Sequence, residues 1–172
     1  MYLIEYLLKL YLQTDKSEIK YRERYDHAVD GIKKHLIQYS YPNRLMYIAE
    51  LIDSSQPSNI HPKMDHLVCF MGGSFVLGVT EGASIHELDP LDKKDGEDFR
   101  LAEELTRTCY EMYNMTATGL ASEIVYFNTD PNSGPNEPDM DIHIRDKHNL
   151  LRPETLESLF IMYRTTGEEI YR

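Results

Sequence analysis

Glu154 and Glu157 stand three residues apart behind Pro153, with Leu156, Leu159, Phe160 and Tyr163 at helical spacing after them. Proline suits the first position of a helix, where its missing N–H would have no partner anyway. The spacing therefore predicts a helix from Pro153 to about Thr166, stopped by Gly167. The four apolar residues would form its buried face, with the two glutamates on a neighbouring ridge of the first turn. Unpaired N–H groups and the positive end of the helix dipole favour an ionised carboxylate there. A glutamate held ionised and aimed at a cavity is what a general base requires. Acidic residues in a first turn are also an ordinary helix start signal, so spacing alone admits both readings.

Three other stretches carry polar residues of the same kind. Lys63-Met64-Asp65-His66-Leu67-Val68-Cys69-Phe70 is followed by Gly73 and Leu77-Gly78. Thr108-Cys109-Tyr110-Glu111-Met112-Tyr113 is followed by Thr118-Gly119-Leu120 and Glu123. Glu5-Tyr6-Leu7-Leu8-Lys9 lies near the start. Together with Leu151-Arg152-Pro153-Glu154-Thr155-Leu156-Glu157-Ser158-Leu159-Phe160 and Tyr163-Arg164-Thr165-Thr166-Gly167, this set resembles class I alpha-mannosidases, glycoside hydrolase family 47. The matches run in the family's order across nearly the whole chain.

The resemblance implies a mainly α fold: part of an (α/α)7 barrel of helical hairpins, with short β-hairpins, over residues 1–172. It implies calcium-dependent hydrolysis of alpha-1,2-linked mannose from high-mannose N-glycans, with inversion. An inverting glycosidase needs an acid, a base and a water between carboxyls ~6.5–9.5 Å apart. Glu154 matches the base, and Glu123 matches an acidic position that is catalytic or binds the substrate and water network. Asp65, His66, Arg152, Glu157 and Glu5 match substrate-binding positions. No direct calcium ligand is expected here. The threonine ligand would lie beyond residue 172, and Glu123 and Glu157 are water-mediated candidates. The general acid would lie upstream, and Met1 stands where the family has an important aspartate. By itself the chain is thus expected to be inactive. The other reading is a glycan-binding relative without hydrolysis.

Each residue also has a simpler reading. Glu5 and Lys9 form an i,i+4 pair. His66 suits a core position, Arg152 a surface salt bridge. If residues 64–79 are helical, Asp65 and His66 point apart and share no metal. Cys69 and Cys109 taken alone suit free, buried thiols. The resemblance pairs them instead, which implies an oxidising compartment, the lumen of the endoplasmic reticulum or Golgi, with a type II membrane anchor outside this chain. A net charge of −11 disfavours nucleic acid as a partner. Residues 1–12 are apolar but broken by Glu5 and Lys9, unlike a signal peptide, and no span long enough to cross a membrane is expected.

The elements that must position these residues follow from periodicity. Helices are expected at 2–13, 16–38, 64–79 and 98–116, with Thr118-Gly119 ending the last. In the first, Leu3, Tyr6, Leu7, Leu10 and Tyr11 share a face widened by Ile4, Leu8 and Leu12, an arc broad enough for burial from two sides. In the second, Tyr25, Ala28, Val29, Ile32 and Leu36 point inward. In the fourth, Leu101, Leu105, Thr108, Cys109 and Met112 do. Gly72 and Gly73 inside the third imply close packing or a kink, since glycine costs a helix about 1 kcal/mol relative to alanine. Short strands are expected at 45–51 and 124–127, with 142–145 pairing back. Residues 54–59, 81–90 and 130–139 read as connectors, and 92–98 as a solvated charged stretch. Asn114-Met115-Thr116 has the N-glycosylation acceptor pattern, late in the fourth helix.

Overall fold

The computed structural model describes residues 2–53, 55–56 and 59–172. Of the connector expected at 54–59, Ser54, Pro57 and Ser58 lie outside the described residues, as does Met1.

Among the described residues the fold is five helices and three small antiparallel sheets. Helix α1 (Tyr2–Gln13) and α2 (Ile19–His35) form a hairpin across a turn closed by the Lys16 N–H donating to the Tyr11 carbonyl at 2.9 Å. Helix α3 (Phe70–Thr80) is apolar on all sides and occupies the centre, packed by α1, α4 (Lys93–Asn114) and α5 (Glu154–Thr166). Residues 66–87 have the length and composition of a membrane span, yet they contain this central core helix and are mostly buried by their neighbours.

Burial in α2 and α4 follows the expected faces: Tyr25, Val29 and Ile32 in one, and Leu101, Leu105, Thr108, Cys109 and Met112 in the other. In α1, Leu7, Leu8 and Tyr11 are buried, whereas Leu3, Tyr6 and Leu10 of the expected face are exposed. Only one side of the broad apolar arc is covered.

Helix α5 overturns its expected face. Leu156 and Phe160 are exposed, at 68% and 63%, and the buried residues are Glu154, Thr155, Ser158, Met162, Thr165 and Thr166. Hydrogen bonding explains the inversion. Ser158 Oγ donates to the Cys69 carbonyl and accepts the Gly73 N–H at 2.7 Å, and the Thr165 and Thr166 hydroxyls donate to Ile161 and Met162 carbonyls. A polar residue whose groups are all partnered can be buried at little cost. The small face then lets α5 approach α3 closely: a Cβ on Gly73 would lie 3.0 Å from the Ile161 side chain and 3.2 Å from the Ser158 backbone. Of the two readings for this glycine pair, close packing holds.

Other boundaries move for local reasons. Helix α2 ends at His35, and the next residues form strand β1 (Ile37–Tyr39), paired with β2 (Met46–Ile48). The expected strand at 45–51 splits into β2 and β3 (Glu50–Leu51), which pairs with β4 (Ile60–His61). Residues 63–65 are not helical: β5 (Lys63–Asp65) pairs with β6 (Ile124–Phe127), and a 3-10 turn (His66–Cys69) leads into α3. Helix α4 starts early because Asp92 caps it, accepting the Asp95 N–H at 2.8 Å, so most of 92–98 is helical. Asp98 is buried rather than solvated and accepts from Lys33 at 2.7 Å. Helix α4 also ends at Asn114, before Thr118-Gly119. The strand that pairs back is β7 (Met140–Asp141), not 142–145; Ile144–Asp146 form a 3-10 turn pinned by the Tyr126 hydroxyl donating to Asp146 at 3.1 Å.

Buried Asp139 ties this sheet to the β1–β2 loop. It accepts from Ser40 Oγ at 2.6 Å, the Asn43 N–H at 3.0 Å and Asn43 Nδ2 at 2.6 Å. Asp139→Ala strands three donors and is expected to cost about 2–3 kcal/mol, since bonds to a charged group contribute about 1.5–3 kcal/mol. A urea midpoint equal to that of the unaltered chain would show the clamp to be dispensable.

Candidate active site

Glu154 is the first residue of α5, directly after Pro153, and is 6% exposed. Its Oε2 faces His66 Nδ1 at 3.5 Å. His66 opens the 3-10 turn after β5, where its backbone N–H donates to the Glu123 carbonyl at 2.8 Å. On the other ring edge, His66 Nε2 lies 2.7 Å from the Tyr113 hydroxyl and 3.3 Å from Thr155 Oγ1. Burial is the main reason His66 titrates below the ordinary histidine value, outweighing the attraction of Glu154 and Glu123. A neutral imidazole has one donor and one acceptor nitrogen. With Nε2 accepting from Tyr113, Nδ1–H points at Glu154. At 3.5 Å this contact is longer than a strong hydrogen bond, so it orients the carboxylate more than it binds it.

This burial sets a pH dependence. Above about pH 6.5, the unperturbed histidine value, the ring is neutral whether the chain is folded or unfolded. As pH falls through that value the unfolded chain binds a proton that folded His66 refuses, so stability declines until the lowered folded pKa is reached. Between about pH 7 and about pH 5, His66→Asn is expected to flatten the fall in urea midpoint. An equal slope in both proteins would remove His66 as its source. The groups acting on the ring are Glu154, Glu123, Arg152, Tyr113 and Thr155.

Glu123 precedes β6 and organises the loop entering α5. Its backbone N–H donates to the Asp146 and His148 carbonyls, both at 3.1 Å. Its carboxylate accepts the Leu150 N–H at 3.2 Å and Arg152 Nε at 2.6 Å. Between those two contacts Leu151 has φ of 53°, a left-handed backbone that costs a bulky residue about 1–2 kcal/mol. Arg152 thus forms an ion pair with Glu123 that is half-buried rather than on the open surface.

The remaining expected residues stand elsewhere. Glu157 accepts from Lys9 at 2.7 Å, and Lys9 also pairs with Glu5, so these three form a bridge between α1 and α5. Burial would lower the Lys9 pKa, but Glu157 and Glu5 outweigh it and hold the ammonium above the usual lysine range. Asp65 ends β5 and turns to Lys63 at 3.4 Å, while His66 goes inward. The two diverge as expected, though from a strand end rather than a helix. Cys69 and Cys109 form a disulfide joining the start of α3 to α4, with Cα atoms 5.8 Å apart. Sequence spacing assigns no role to Tyr113 or Thr155. The register signals Tyr113: with 69 bonded to 109, one turn back from 69 and one turn on from 109 bring 66 against 113.

Among the described residues no group of three or more His, Cys, Asp and Glu is placed to hold a metal. Glu123 and Glu157 each already pair with a protein cation, so these residues do not compose a calcium site by themselves.

Residues 1–172 match the model of glycosyl hydrolase family 47. The chain belongs to this family. It is 51% identical over 172 residues to the endoplasmic reticulum mannosyl-oligosaccharide 1,2-alpha-mannosidase of Schizosaccharomyces pombe, covering 98% of this chain and 32% of that protein. The human protein of the same name is 41% identical over 168 residues, covering 98% and 22%. The solved alpha-1,2-mannosidase from Trichoderma reesei superposes with a TM-score of 0.76 at 24% identity, covering 98% of this chain and 34% of that one. The fold of this family 47 chain is thus that of part of an (α/α)7 barrel, and it spans about a third or less of the length of these relatives.

Proposed function

We propose that this chain supplies the general-base side of a mannosyl-oligosaccharide 1,2-alpha-mannosidase, acting on high-mannose N-glycans in the secretory-pathway lumen. The observation that carries the reading is buried Glu154 at the start of α5, faced by a neutral histidine. A base there takes a proton from a water that attacks the anomeric carbon opposite the leaving sugar, inverting its configuration. His66 and Thr155 fix that end of α5. Glu123, through Arg152 and Leu150, shapes the loop beside it. The general acid and calcium's direct threonine ligand would come from parts of the family domain outside residues 1–172, and Glu123 and Glu157 would help to hold the ion through water. The membrane anchor belongs to the same proposal, outside this chain. The endoplasmic reticulum names of the relatives support the compartment.

The test is a chimera in which residues 1–172 replace the matching segment of the Schizosaccharomyces pombe relative. With calcium it is expected to release mannose from a high-mannose glycan, first as the β-anomer by proton NMR. Dialysis against a calcium chelator is expected to stop release; undiminished release would remove calcium from the reading. A folded chimera that binds the glycan but frees no mannose would overturn hydrolysis in favour of glycan binding.

A further inference from the structure

We propose that Asn114 is an N-glycosylation site, carrying an oligosaccharide through N-acetylglucosamine on its side-chain amide; this rests on the secretory placement above. Asn114-Met115-Thr116 is the chain's one Asn-X-Ser/Thr triplet. A triplet within a packed helix would leave no room for a sugar. Here Asn114 is the last residue of α4 and is exposed, and of residues 114–120 all but Thr116 are exposed.

Helical side chains lean toward the N-terminus, and Asn114 Nδ2 accordingly donates to Glu111 Oε2 at 3.0 Å on the surface. A glycosylated amide keeps one N–H, so this bond can persist. Exposed Tyr110, Met115 and Leu120 offer apolar surface to the C–H faces of the first sugars. The neighbouring residue, Tyr113, instead faces inward to His66 at 2.7 Å. Adjacent helical positions diverge, so the glycan leaves the Glu154–His66 pair uncovered.

In the transfer, Nδ2 bonds to C1 of the reducing-end N-acetylglucosamine of a lipid-diphosphate oligosaccharide. The C1–O bond to the diphosphate breaks, the lipid diphosphate leaves with that electron pair, and a proton from Nδ2 passes to a base of the transferase. The Thr116 hydroxyl, which the acceptor triplet must present, is engaged in the fold with the Tyr113 and Leu120 carbonyls, each at 3.0 Å. Transfer therefore precedes closure of this turn.

The experiment treats the native protein with peptide-N-glycosidase in heavy-oxygen water and reads the peptide around residue 114 by mass spectrometry. Asn114 is expected to appear as heavy-oxygen Asp. In protein expressed through the secretory pathway, Asn114→Gln and Thr116→Ala are each expected to lose one glycan's mobility step, and Thr116→Ser to keep it. An unmodified Asn114 beside an oxidised Cys69–Cys109 pair overturns the site alone. An unmodified Asn114 beside reduced cysteines overturns the secretory placement too.

Discussion

Glu154→Gln in the chimera is expected to lower kcat for mannose release by about 10²–10⁴-fold, the contribution typical of a positioned general base. Glutamine keeps the size of the side chain and an oxygen that can face His66 Nδ1, but it cannot accept the proton of the attacking water. KM is expected to change little, because the interaction lost is one that strengthens only in the transition state. The measurement is steady-state mannose release at saturating glycan. A variant within a few-fold of the parental kcat would end the assignment. A rise in KM with a matching fall in kcat/KM, and kcat intact, would make Glu154 a sugar-binding residue.

The position suits this role for reasons of packing. Thr155 and Ser158 anchor the first turns of α5 against His66 and the Cys69 carbonyl, so the helix start is held from inside the core. Glu123 holds it from outside, gripping Arg152 and the Leu150 N–H. A base must keep its geometry, and the ring that faces Glu154 is a histidine that burial holds below the ordinary histidine pKa.

Much of this was legible where one periodicity governs a segment. The inward face of α4 is apolar at 3.6 spacing and is buried as read. The face of α5 was not legible, because Ser158, Thr165 and Thr166 bury hydroxyls that satisfy themselves on nearby carbonyls, and a hydropathy pattern scores them as polar. Strand β5 was hidden for another reason. Its partner β6 lies some sixty residues on, and Met64-Asp65-His66 by itself continues the apolar run of α3. The Glu5–Lys9 pair follows from i,i+4 spacing, but the contact with Glu157 exists only once α1 and α5 share one side of α3. The site divides likewise: Glu154 and Glu123 came from motifs, whereas Tyr113 and Thr155 are functional neighbours only through His66.

Removing the Cys69–Cys109 bond is expected to destabilise the folded chain by about 3–4 kcal/mol. The cysteines are 40 apart in sequence, and a loop of that size carries about this much closure entropy in the unfolded state. Both sulfurs are fully buried beside Met112, so a double Cys→Ala variant leaves a cavity as well and should fall below the reduced wild type. The discriminating readout is urea unfolding of three samples: oxidised, reduced, and Cys69→Ala with Cys109→Ala. Loss of the cross-link should lower the midpoint and raise the slope, because the freed unfolded chain exposes more surface. The same bond sets the register of the 3-10 turn against α4, so its loss is also expected to loosen His66 from Tyr113. Coincident curves for the oxidised and reduced samples would mean that packing of α3 on α4 alone fixes this register, and that the disulfide only records it.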